Sequence, residues 1–128
     1  MATDVPSVDV VRLHGVNVLR CAPEGPPLDG ERTALDLIGD AMGYDAQVVA
    51  IPTERVADAF FQLRSGVAGA VMQKFVNYRV RLAVVGDVSR HVGESTALRD
   101  FVHETNQGRQ VWFLADFEEL GEKLRTAG

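Results

Sequence analysis

Val80-Arg81-Leu82-Ala83-Val84-Val85, closed by Gly86-Asp87, is the stretch on which the fold turns. Its near-continuous apolar, β-branched character predicts a strand covered on both faces, as in a parallel sheet flanked by helices. Downstream, Ser95 is placed to cap a helix that aligns Leu98, Phe101, Val102 and Thr105, and Asn106 and Gly108 end it. Gln110 to Leu114 reads as a last strand. Asp116 with Glu119 then forms a capping-box-like pair for a terminal helix carrying Phe117, Leu120 and Leu124.

Upstream, Ser65 reads as the cap of a helix with Val67, Ala68, Val71, Met72, Phe75 and Val76 on one side. Thr53 is expected to cap an earlier helical segment, whose stripe is Val56, Ala59, Phe60 and Leu63. Gln47 to Ile51, stopped by Pro52, is a short buried strand. A helix is expected after Asp29 or Gly30, because Ala34, Leu35, Leu37, Ile38, Ala41 and Met42 recur at helical spacing. Before it, Ala22 to Pro27 holds three of the five prolines, an exposed loop. Val8–Leu13 and Val16–Cys21 flank His14-Gly15 as two antiparallel strands, with Gly15 supplying positive φ at the turn.

The order is β-β-α-β-α-β-α-β-α. It predicts an α/β domain with a five-stranded mixed sheet: an N-terminal hairpin, then repeated β-α units with right-handed crossovers. Residues 1–7 are expected to be a short flexible N-terminus and residues 8–126 a single domain. The 128 residues fit one such domain. Hydrophobic residues at 46% and charged residues at 24% exclude a wholly disordered chain. Eighteen acids against thirteen bases give a net charge of −5, which argues against nucleic-acid or anionic-membrane partners. No stretch approaches the length of a membrane span, so a cytoplasmic location is expected. Cys21 is the one cysteine and reads as a small core residue at a strand end.

The strand Gln47–Ile51, the helix start Ser65-Gly66-Val67-Ala68-Gly69 and the strand Arg81 to Gly86 resemble, in order, the core of STAS domains, the anti-sigma-factor-antagonist type of α/β module. A closer resemblance is to a bacterial family known as domain of unknown function 4180. It rests on Phe60-Phe61-Gln62-Leu63-Arg64-Ser65-Gly66-Val67-Ala68-Gly69, then Gln73 to Tyr78, Val80 to Asp87 with Ser89, and Leu98-Arg99-Asp100-Phe101. The resemblance implies a STAS-like fold and no known chemistry. In phosphorylatable STAS proteins an aspartate precedes the serine; here Leu63-Arg64 stand before Ser65.

Candidate chemistry gathers at two places. At Ser65-Gly66-x-x-Gly69, a helix N-terminus offers unpaired amides to an anion, and Ser65 is a candidate phosphoacceptor. The alternative is an ordinary cap, with glycines that allow tight packing. The second place is the rim where Thr53 and Glu54 follow one strand and Asp87, Ser89 and His91 follow the next. There the alternative is turn chemistry. Phe61 and Tyr78 are the surface-aromatic candidates, unless the connecting segment folds back over Phe61. No nucleophile elbow, phosphate loop or dinucleotide fingerprint occurs, and His14, His91 and His103 lack metal-ligand spacing, so no metal and no cofactor are expected.

The leading expectation is a non-catalytic module that binds a protein partner or a second copy of itself as a dimer, through Ser65, Gly66 and Phe61. Phe61→Glu should then weaken capture and leave the fold intact. The alternatives are a small-molecule-binding protein or minor enzyme using the polar rim, and a phospho-switch at Ser65.

Overall fold

The sheet begins with the hairpin. β1 (Val8–Leu13) and β2 (Val16–Cys21) pair antiparallel, Leu13 opposite Val16, across a turn whose His14 and Gly15 both have positive φ (49° and 83°). Such a turn matches the twist of the strands it joins, and glycine enters it without a Cβ penalty. A computed structural model describes residues 8–127 of the chain; the expected N-terminal segment 1–7 lies outside the described residues.

After the hairpin come α1 (Glu31–Gly43), β3 (Val48–Pro52), α2 (Val67–Tyr78), β4 (Arg81–Val85), α3 (Ser89–Gly93), α4 (Thr96–Asn106), β5 (Val111–Leu114) and α5 (Phe117–Ala127). The sheet is mixed and runs β1-β2-β3-β4-β5, with every pair after the hairpin parallel. The strand order thus moves one way, and right-handed crossovers then put the connecting helices on one face.

Side-chain alternation sorts the core accordingly. Leu19, Val49, Ile51, Leu82, Val84 and Phe113 point to the face covered by α1, α2 and α4, where Ile38, Val71, Phe75 and Leu98 meet them. Val18, Val48, Ala50, Ala83 and Trp112 point the other way, and there Leu120 and Leu124 of α5 pack on them. Ala50 and Ala83 keep the middle of that face shallow, so one helix can lie close to it. Arg20 stacks over Phe117 at 4.2 Å to its ring centroid, fixing the start of α5 against β2. No helix among the described residues is long and apolar enough to cross a membrane.

The structure corrects three local expectations. The stripe Val56, Ala59, Phe60, Leu63 is not an α-helix but a connector of three 3₁₀ turns, Thr53–Arg55, Asp58–Phe61 and Leu63–Ser65. Its hydrogen bonds close three residues apart (Val56 to Thr53, Phe60 to Ala57, Ser65 to Gln62), and Val56 and Gln62 between them are extended. Val56 is held in that extended form by a parallel bridge to Leu28, which a continuous helix could not make. Thr53 makes no side-chain cap.

Ser65 is likewise not the N-cap of α2. Gly66, at φ 80°, occupies that position, and the Ser65 hydroxyl accepts from the Val67 amide at 3.1 Å. Finally, Ser89 to Gly93 forms the short helix α3, an element absent from the expected order. Ser95 does cap α4, accepting from the Leu98 amide at 3.1 Å.

Candidate functional site

The connector between β3 and α2 folds back over the helical layer, and this decides where a site can form. Phe60 and Phe61 lie edge-to-face with centroids 5.4 Å apart, and both are buried. Phe61 is therefore not a surface aromatic: it is 5% exposed, because the 3₁₀ turn at 58–61 directs it inward. Its outer face is covered by the His91 imidazole, stacked at 4.0 Å and 11° from parallel. Tyr78, by contrast, is exposed at the end of α2.

This stack borders an open cleft of about 750 Å³ between the connector and the α3–α4 segment, whose rim includes Asp58, Arg64, Arg90, Glu94 and Ser95. Arg90 stands 3.6 Å from the Asp58 carboxylate and 3.2 Å from the His91 Nε2. α3 and the connector thereby meet through one aromatic stack and one exposed ion pair. The ion pair adds little stability but sets the charges across the opening. Arg64 and Glu94 make no ion pair among the described residues, so the rim presents both signs of charge.

Of the candidate binding residues named from the sequence, only Phe61 and His91 border this cleft. Ser65 is close by in the chain, but its hydroxyl is engaged. It donates to the Ala59 carbonyl at 2.6 Å while accepting from Val67, and so holds the last turn of the connector. Gly66 and Gly69 approach no other backbone: a Cβ at either meets no atom within 4 Å among the described residues.

The expected rim at the strand ends is only half assembled. Thr53 and Gly86 do meet, so tightly that a Cβ on Gly86 would sit 2.5 Å from the Thr53 Oγ1. Glu54 is exposed and makes no hydrogen bond or ion pair among the described residues. Asp87 accepts the Ser89 amide at 2.9 Å, closing the turn that leads into α3; hydrogen bonds from the Ser89 side chain and amide hold its carboxyl below the usual range. That is turn chemistry. A strand-end crevice needs crossovers that part to opposite faces of the sheet, and here they all go to one.

The sequence reading missed Arg55 altogether. It is 7% exposed, yet carries a guanidinium whose Nε and Nη2 donate to the Pro26 carbonyl (3.2 and 3.0 Å) and whose Nη1 donates to Ala22 (3.3 Å). It ties the proline-rich loop to the connector. Cys21, nearby in the core, has its thiol pushed up to about 11, chiefly by burial. Among the described residues no group of His, Cys, Asp and Glu could hold a metal ion.

A family model described as "Domain of unknown function (DUF4180)" matches residues 13–124. No curated protein and no solved structure matches the chain. The match spans the hairpin turn, the connector and the start of α5, so every element that builds the cleft lies within it.

Proposed function

The chain belongs to the DUF4180 family, and from that premise we propose that it is a non-catalytic, STAS-like recognition module that binds a protein partner through the cleft between connector and α3–α4. One observation carries the reading: the open cleft, bordered by the Phe61–His91 stack and rimmed by charges of both signs. Arginine is enriched at protein contacts, and two arginines, Arg64 and Arg90, stand on this rim. The hydroxyls beside it are tied to backbone amides, Ser65 to Val67 and Ser95 to Leu98, which suits a scaffold better than a nucleophile.

The test reverses the rim charge. Arg64→Glu with Arg90→Glu should abolish retention of a partner that the wild-type chain captures from its host and that binds it again when purified. The melting temperature should change little, since both side chains are exposed. Equal binding by wild type and variant defeats the proposal.

A second reading is favoured by volume. About 750 Å³ lies within the range of small-molecule sites, roughly 300–1,000 Å³. A planar ligand stacking beside His91 would raise the melting temperature of the wild type and not of His91→Ala. A metabolite and nucleotide screen without a stabilising hit removes this reading. The phospho-switch at Ser65 needs the hydroxyl to leave both Ala59 and Val67. Intact mass of protein isolated from its host, unphosphorylated in every growth condition, would exclude it.

A further inference from the structure

The two edges of the sheet are finished differently. On β5, the Asn106 side chain closes the outer edge: its Oδ1 accepts the Phe113 amide at 2.7 Å and its Nδ2 donates to the Phe113 carbonyl at 3.1 Å. A side-chain amide there takes the place of a neighbouring strand, on a strand of only four residues. Such devices stop edge-to-edge pairing.

β1, the other edge, has six residues, an unbroken register with β2, and neither proline nor lysine. The two-residue turn makes Leu13–Val16 a hydrogen-bonded pair, so Val11–Val18 and Asp9–Arg20 are bonded pairs too. The Gln47 amide bonds the Asn17 carbonyl at 2.9 Å, confirming that Asn17 turns its backbone to β3 and away from β1. The backbone groups of Val8, Val10 and Arg12 therefore point outward, and have no protein partner among the described residues. Val10, in the middle, is an exposed valine at 43%.

We propose that β1 pairs antiparallel with β1 of a second copy, joining two sheets into one of ten strands about a two-fold axis at Val10. Symmetry and charge select this register. A two-fold axis normal to the sheet keeps each side chain on its own face, so residues facing across it differ by an even number in sequence. Centring on Asp9 or on Arg12 sets like charges opposite one another. Centring on Val11 leaves the outward groups of Val8 facing the turn. Centring on Val10 pairs all three outward residues, with Val8 opposite the partner's Arg12, for about six backbone hydrogen bonds. It also covers the exposed Val10 with the partner's Val10, and sets Asp9 opposite the partner's Val11.

This inference is independent of the cleft, which lies on the connector and the α3–α4 segment; Arg64→Glu with Arg90→Glu should leave the dimer unchanged. The test is sedimentation equilibrium of the full chain across the micromolar range. The expected mass is twice the 13.9 kDa of the chain. Val10→Pro removes one outward donor and leaves the β1–β2 bonds intact, so it should lose the dimer and keep the native circular dichroism. Val10→Cys gives a check that needs no disruption. Opposed α-carbons about 5.5 Å apart suit a disulfide, so mild oxidation should link two chains through residue 10, while Arg64→Cys should not link. Cys21 is buried and does not compete. A monomeric wild type overturns the proposal, including the case in which β1 pairs only with a strand of another protein. So does a dimer that survives in folded Val10→Pro, or an absent crosslink in Val10→Cys.

Discussion

Arg55→Met tests whether a buried cation, rather than apolar packing, holds the proline-rich loop in place. The guanidinium is 7% exposed and pairs with no carboxylate among the described residues; its partners are the carbonyls of Ala22 and Pro26. Hydrogen bonds to a charged group contribute about 1.5–3 kcal/mol each, so two acceptors give a gross loss of about 3–6 kcal/mol. Methionine retains much of the apolar stem and no longer has a charge to desolvate, which returns part of that loss. The net expectation is a destabilisation of about 2 kcal/mol, and on the order of 6–10 °C in melting temperature for a domain of this size. Arg55→Ala should cost more, because it also empties the space filled by the stem. Urea unfolding followed by the fluorescence of Trp112, the one tryptophan and 1% exposed, gives both values. Hydrogen exchange gives a local signature: the Leu28 amide, bonded to the Arg55 carbonyl at 2.6 Å, should exchange faster in the variant. If Arg55→Met loses less than about 0.5 kcal/mol, the magnitude of an ordinary surface change, the loop is held by something else and the reasoning fails.

Gly86→Ala should destabilise by about 2–4 kcal/mol, from a φ of 138° that L residues resist and a Cβ 2.5 Å from the Thr53 Oγ1. Adding Thr53→Ala should recover only part of it in a double-mutant cycle, since the φ strain stays; full recovery would locate the whole cost in the clash. Phe61→Glu should lower the melting temperature by far more than a surface change, because it puts a carboxylate where a buried ring packs on Phe60 and His91. A variant melting like the wild type would mean the ring is not buried as described. For Cys21, the folded pKa of about 11 lies above the thiol's ordinary 9.0, so the protonated thiol is favoured in the folded state. Its contribution is complete below pH 9 and lost as pH rises towards 11, up to about 2–3 kcal/mol. Cys21→Ala should lack this alkaline loss, which parallel urea titrations at pH 8 and pH 10.5 would reveal.

Most of the fold was legible because its elements carry their own periodicity. Val48 to Ile51, Leu82 to Val84 and Val111 to Leu114 are buried, and a parallel strand covered on both faces has to be apolar there. Ala34, Leu37, Ile38 and Ala41 recur at helical spacing because one face of α1 meets the sheet. The connector misled for a related reason. Val56, Phe60 and Leu63 also recur at three to four residues, yet a chain of 3₁₀ turns returns to the same face at similar spacing. Periodicity reports which side is buried, not which hydrogen bonds close the turn. The long-range partner that broke the helix, Leu28, is distant in sequence and left no local mark.

The site was less legible because the topology moves it away from where α/β sheets commonly hold one. Strands added in one direction send every crossover to one face, so the ends of β3 and β4 meet tightly, as Thr53 against Gly86 records, instead of parting into a crevice. Space for a ligand or a partner must then come from an element that does not lie flat on the sheet, and the connector is that element. It runs from Thr53 to Ser65, longer than a crossover needs to reach α2, and its surplus folds Phe61 under His91 to wall one side of the cleft. Arg64 and Arg90 lie far apart in sequence and follow no motif, since only the fold-back brings them to one rim. By the same logic a residue chosen for apparent exposure, Phe61, is buried, while the exposed charges beside the cleft stand on the connector and α3. Shortening the connector should therefore remove the cleft while leaving the β3–β4 pairing intact, because no bond of that parallel ladder depends on residues 57–64.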